Sequence, residues 1–175
     1  MKWTVTVSPT SRPVDWPTAK THLRIDSTDE KSYVEQLIDA ATDFAGEALS
    51  SSLMAQTITA VFYEGEPIHL PRGPLIAVTS ITDDDGTVVT DYDVSRVGHS
   101  DRIEINTAFK YPVTVVYTAG YTSAAAVPAS IRQAILCHVG SLYENRESIA
   151  DKAKTPVPHS LADFYRLKSR NTGIS

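Results

Sequence analysis

From residue 53 to residue 121 the sequence carries β-branched and aromatic runs cut by turn residues, and on both sides of that block apolar residues recur at helical spacing. A chain ordered in this way has helix stripes and strand faces to bury, which places it in the α+β class. Helices on either side of a β block still pack together if the ends of the block lie close to each other. The expected fold is therefore a helical bundle, built from N-terminal and C-terminal helices and interrupted by an antiparallel β insertion of about six strands. The segments read as an extended arm (1–13), a helical bundle (14–52 and 122–170), the β insertion (53–121) and a tail (171–175).

The local signals support each part. Pro9 and Pro13 favour an extended or turning arm. Asp15 before Trp16 and Pro17 is an N-cap with proline in the first turn, where a missing N–H does no harm. Acids from Asp26 to Glu30 precede a helix over about 29–49, with Tyr33, Leu37, Ala41, Phe44 and Ala48 on its apolar face and Val34, Ile38, Ala45 and Leu49 beside them. Strands are expected at Thr57–Tyr63, Val78–Thr82, Thr87–Thr90, Tyr92–Val97, Arg102–Ile105 and Val113–Tyr117, with a short extended piece at Pro67–Pro71. Asp84-Asp85-Gly86 is a hairpin turn. Pro128 opens another helix along Ile131, Ile135, His138 or Val139, and Leu142, where Gly140 and Ser141 allow close packing. Leu161, Phe164, Tyr165 and Leu167 suggest a last short helix after the loop at 151–158.

Composition excludes several functions. The chain has 175 residues and a formal charge of −5, the wrong sign for a protein that works mainly by neutralising phosphates. No segment approaches bilayer-spanning length, so a soluble protein made in the cytoplasm is expected. Its single cysteine, Cys137, has no intrachain partner and reads as buried filler in a helix. The five histidines are scattered singly and lack the spacing of a zinc site. Cys137 and His138 are adjacent on a helix and point about 100° apart, a poor geometry for sharing a proton. Nothing in the glycine distribution cradles a phosphate. No catalytic, metal or cofactor site is expected, and the chain does not read as an enzyme.

Charge is more informative. Asp26, Asp29, Glu30, Glu35, Asp39, Asp43 and Glu47 face a single cation, Lys31, in the same stretch, whereas Lys152, Lys154, Arg166, Lys168 and Arg170 gather near the C-terminus. An acidic face on one subunit meeting a basic segment of a neighbour would set orientation through complementary fields.

An ordered set of motifs resembles one family. Thr18–Asp26 is similar to its opening helix and the Leu-Arg-hydrophobic-Asp turn, and Ile38-Asp39-Ala40-Ala41 to its second helix. Ile68-His69-Leu70-Pro71, Pro74-Leu75-Ile76 and Asp85-Gly86 follow the order of its β insertion. Tyr117–Tyr121, Val127-Pro128 and Ile131–Glu147 resemble its most distinctive segment. The family is the head-to-tail connector (adaptor, head completion) proteins of tailed bacteriophages. His138 and Gly140 depart from it, standing where aliphatic residues are expected.

The resemblance implies a structural component of the virion neck, made in a bacterial host. It implies a twelvefold ring beneath the portal protein that extends the DNA channel and docks a stopper or tail-completion protein. Packaged DNA would pass through without sequence-specific binding, and no membrane or cofactor is involved. Within that picture Tyr143, Glu144, Arg146 and Glu147, with Arg166, Lys168 and Arg170, are expected at subunit or portal interfaces. Glu35, Asp39 and Asp43 are expected to face the channel, where like charge keeps DNA from sticking. The alternative is a small, non-enzymatic ligand-binding β module with helical flanks, suggested by Phe62, Tyr63, Tyr92, Tyr111 and Tyr117.

Overall fold

Asp15 ends the N-terminal segment and starts the first helix. In the computed structural model, which describes residues 1–65, 67–97 and 100–144, its carboxylate accepts the Thr18 N–H at 3.0 Å, capping α1 (Trp16–Leu23). Those bonds from Thr18 hold the Asp15 carboxyl below the ordinary aspartate range. Arg24, in the left-handed region at φ 55°, closes the helix. The second helix, α2 (Lys31–Leu49), turns Val34, Ile38, Ala41, Ala45 and Leu49 inward. The third, α3 (Ala129–Glu144), buries Ile131, Ala134, Ile135, Leu136 and Val139. Together with Val14, Ala19, Leu53, Met54 and Val127 these residues make one apolar core. A methyl at Gly140 would sit in ordinary contact, 3.7 Å from His22 Nε2 and 3.9 Å from Leu23 Cδ2, so α1 crosses α3 at this point.

The strands are β1 (Lys2–Val7), β2 (Gln56–Phe62), β3 (Ile68–His69), β4 (Leu75–Thr82), β5 (Tyr92–Val97), β6 (Ser100–Ile105) and β7 (Val113–Ala119). They form a four-stranded sheet ordered β1-β2-β7-β4 and a three-stranded sheet ordered β3-β6-β5, with antiparallel pairing throughout. Period-two alternation puts Val113, Val115, Tyr117 and Ala119 of β7 on a buried face with Ile58, Ala60 and Phe62 of β2. Ile68, Ile81, Ile103 and Ile105 complete a second core. Each large side chain fully buried there contributes about 1.5–3 kcal/mol of transfer free energy.

The α+β arrangement with helical flanks is as expected; its details differ. The described residues form seven strands in two sheets, and one of them, β1, comes from residues expected to form an extended arm. Its side chains are mostly exposed, so no buried stripe marked it in the sequence. Thr87–Thr90 forms no regular strand; it meets the free edge of β4 at the isolated bridge Thr82 to Val88 and through the Val89 N–H to Ile81 O bond at 2.9 Å. The turn between them is as read: Gly86 has φ +80°, its N–H reaches Asp83 O at 3.1 Å, and Asp83 Oδ1 accepts the Thr87 N–H at 2.8 Å.

Two helix positions also differ. Phe44 is 52% exposed and meets the His138 ring edge-on, with centroids 4.9 Å apart. Cys137 is exposed rather than buried filler. α3 is covered along one side only, which leaves Gln133, Cys137, Ser141 and Glu144, three or four residues apart, as its outward stripe. The C-terminal helix read at Leu161–Leu167 and the loop before it lie outside the described residues.

Candidate functional site

Glu35, Asp39, Asp43 and Glu47 follow one another at four-residue spacing on α2, so they stay on one side of the helix, opposite the buried stripe. The N-terminal segment lies along them. Arg12 clasps Asp39 with two parallel bonds, Nε to Oδ1 at 2.6 Å and Nη2 to Oδ2 at 2.8 Å, and stands 4.0 Å from Glu35. The bond to Asp39 raises the Arg12 pKa further above its ordinary value. Lys31 approaches Glu35 at 3.9 Å. These groups are partly exposed, so each pair contributes at most about 1 kcal/mol. Asp43, also exposed, has no ion pair among the described residues.

At the other end of the stripe the cation is buried. Arg72, only 8% exposed, donates from Nη1 to the carbonyls of Gly46 (2.5 Å) and Ser51 (3.1 Å) and from Nη2 to the Glu47 carboxylate. Its guanidinium lies over the Trp3 ring, 5.0 Å from the centroid. Arg72 thus joins the turn before β4, the last turn of α2 and the strand β1. Between β1, residues 8–13 and α2 runs an open groove of about 1140 Å³, lined in part by Trp3, Val5, Arg12, Asp39, Asp43 and Arg72.

The far end of α3 meets the start of α2. Tyr143 donates its hydroxyl to Glu30 Oε2 at 2.6 Å, and its ring lies 6.3 Å from that of Tyr33. Tyr143 therefore helps to hold the bundle together. Tyr143→Phe is expected to cost about 1–2 kcal/mol, the worth of a partly buried bond to a carboxylate. Urea unfolding checks this through a lower midpoint at unchanged slope.

Of the other residues singled out from sequence, Glu144 is exposed at the helix end. Arg146, Glu147, Arg166, Lys168 and Arg170 lie outside the described residues. Glu35 and Asp39 are brought together by Arg12, which sequence reasoning missed, as it missed Arg72 and Trp3. His138 packs against Phe44, and burial lowers its pKa. Phe62, Tyr92, Tyr111 and Tyr117 pack into the second core, while Tyr63 is exposed. No group of three or more His, Cys, Asp or Glu among the described residues is arranged to hold a metal ion. No helix among them is long and apolar enough to cross a membrane.

Residues 17–85 match the family model of the phage gp6-like head-tail connector proteins. This stretch is similar to head-tail connector sequence. The connector match begins in the first turn of α1, runs through α2 and ends in the turn after β4, so it contains Asp39, Glu47 and Arg72. No curated protein matches the chain. Among solved structures, a chain from the neck of an empty gene transfer agent particle, with C6 symmetry, is 20% identical at a TM-score of 0.81. It covers 97% of this chain and 95% of its own length. A chain from the virion of the native particle (19%, TM-score 0.79) and one from the native neck with C12 symmetry (18%, TM-score 0.76) have the same coverage. At these identities the matches establish the fold: the described arrangement of helices and sheets is shared with those chains over nearly the whole length.

Proposed function

We propose that this protein is a structural, non-enzymatic connector of a virion neck, forming a ring beneath a portal and extending its DNA channel toward a stopper or tail. One observation carries this reading: connector-family sequence over α1, α2 and the first part of the β insertion sits in a fold shared almost end to end with chains of a virion neck. A ring requires a heterologous interface, in which two different faces of each subunit meet. Among the described residues the chain offers two separate apolar cores, one between the helices and one in the β insertion, and hence two dissimilar faces. Twelve copies would fit the C12 neck to which the fold is similar.

The contact residues follow from charge. The described part of the chain is acidic, whereas residues 145–175 carry six Lys or Arg against three Asp or Glu. We assign Arg166, Lys168 and Arg170 to the portal contact, with Tyr143, Glu144, Arg146 and Glu147 at the adjoining subunit boundary. Deleting the chain from Pro156 is expected to abolish portal binding and leave the melting temperature of the core within a few degrees. Retained binding in a pull-down would overturn the assignment.

Glu35, Asp39 and Asp43 remain our choice for the channel wall. Because Arg12 engages the first two, reversing them would also release the N-terminal segment. Asp43→Lys is therefore the clean test. It is expected to slow DNA ejection from particles without changing subunit stability, and normal ejection would remove Asp43 from the channel.

A further inference from the structure

The strand β1 is joined to the fold in an unusual way. It is the edge of the four-stranded sheet, pairs only with β2, and leaves every side chain but Trp3 exposed. Its connection to α1, residues 8–15, contains no helix or strand and is exposed from Ser8 to Arg12. Pro9 and Pro13 fix φ at their own positions and remove two backbone donors, and the chain bends at residues 10–11 and 13–14. The four residues between Val7 and Arg12 span at most about 14 Å. The groove beside this connector is open rather than packed. Arg12, anchored on Asp39, fixes the point at which the connector leaves the helical body.

We propose that in the assembled ring β1 is exchanged, the strand Lys2–Val7 of one copy pairing with β2 of its neighbour. The inference rests on the ring proposed above. The occupant is specified by the fold itself, because an exchanged strand makes the same contacts in trans that it makes in cis. The register Thr4 to Thr59, the Trp3 face on Arg72 and the bulge between Val5 and Val7 are all reproduced. What changes is the path of the connector and the cost of bringing copies together, so exchange is favoured wherever the ring supplies a high local concentration. Release from the parent copy breaks the β1–β2 ladder and the Trp3–Arg72 contact, both of which re-form in trans, and uncovers no other side chain of β1. The effect is a ring tied by main-chain hydrogen bonds at each boundary, in addition to side-chain contacts.

The test uses two tagged full-length variants, Thr4→Cys and Thr59→Cys, both in a Cys137→Ser background because Cys137 is exposed. The two are mixed, assembled on portal rings and oxidised. A chain carrying both Thr4→Cys and Thr59→Cys serves as the positive control, its dilute monomers giving an intrachain disulfide. The expected result is a heterodimer carrying both tags on a non-reducing gel of portal-bound rings, and none from dilute monomers. Rings seen by electron microscopy that yield no heterodimer, while rings of the double variant yield only intrachain disulfide, overturn strand exchange and leave the connector reading intact. Absence of rings on the portal overturns both.

Discussion

Gly120→Ala is expected to leave little or no folded protein. Gly120 has φ +122°, and a Cβ placed there would lie 2.2 Å from Met54 O, 2.5 Å from Met54 C and 2.9 Å from Ala55 N. All three are backbone atoms, so no rotamer change relieves the overlap. Relief requires moving residue 120 away from residues 54 and 55, which lie where the chain passes from α2 into β2. That movement breaks the bonds around the junction, Gly120 N–H to Pro74 O at 2.8 Å and Ala55 N–H to Tyr121 O at 2.9 Å. The chain enters and leaves the β insertion here, so the damage reaches both cores. We expect a loss of more than about 4 kcal/mol, most of the net stability of an ordinary domain. Gly86→Ala is the control. It has φ +80° and nothing within 4 Å of its Cβ, so it carries only the conformational penalty of about 1–2 kcal/mol. Soluble yield and thermal unfolding distinguish the two, and a Gly120→Ala protein melting within a few degrees of its parent would show that the close approach is wrong.

Arg72→Ala is expected to be the most damaging substitution of a charged residue among those described. It removes the guanidinium bonds to the Gly46 and Ser51 carbonyls, of which Gly46 O keeps the Ser51 N–H at 3.0 Å, and takes the cation from the Trp3 ring. Two lost bonds at about 1 kcal/mol each and a cation–π contact of about 1 kcal/mol give a loss near 3 kcal/mol. For a chain of this length that lowers the melting temperature by about 6–12 °C. Arg72→Lys recovers little, since a point charge cannot serve two carbonyls and stack at once. The ion pair with Glu47 is the minor part of this effect. Glu47 is 75% exposed, and Glu47→Gln is expected to change stability by less than about 1 kcal/mol. Because Arg72 joins the β insertion to α2 and β1, its loss is also expected to loosen the angle between the two bodies, read as faster amide exchange at residues 46–52.

The parts of this fold that were legible in sequence are those with a local signature. Asp15 before Trp16-Pro17 announces a cap, the spacing of Val34, Ile38, Ala41 and Ala45 announces a buried helix stripe, and the alternation through Val113, Val115 and Tyr117 announces a two-faced strand. β1 lacked such a signature because an edge strand with exposed side chains has no apolar period to display. Arg12 and Arg72 were missed for a related reason. Their partners lie 25–27 residues away or in backbone carbonyls, and nothing beside Arg72-Gly73-Pro74 distinguishes a buried guanidinium from an ordinary turn. Cys137 reads as apolar filler by residue type, but which side of α3 is covered is decided by where α1 and α2 pack.

The acidic stripe of α2 takes on two roles in this structure. Its ends hold the N-terminal segment through Arg12 and the β insertion through Arg72, so the helix is the element to which the other parts of the subunit are tied. In the ring proposed for this chain the helical body and the β insertion would have to stay in fixed relation, since each would present a different face to its neighbours. The ties at Arg12 and Arg72 supply that fixed relation within the described residues.

Electron microscopy of the purified protein mixed with portal rings decides whether this chain forms a ring on a portal. The expected image is a second ring stacked coaxially on the portal, in register with its subunits and with an open channel through both. Portal rings that remain bare at saturating concentrations of folded protein would contradict ring formation.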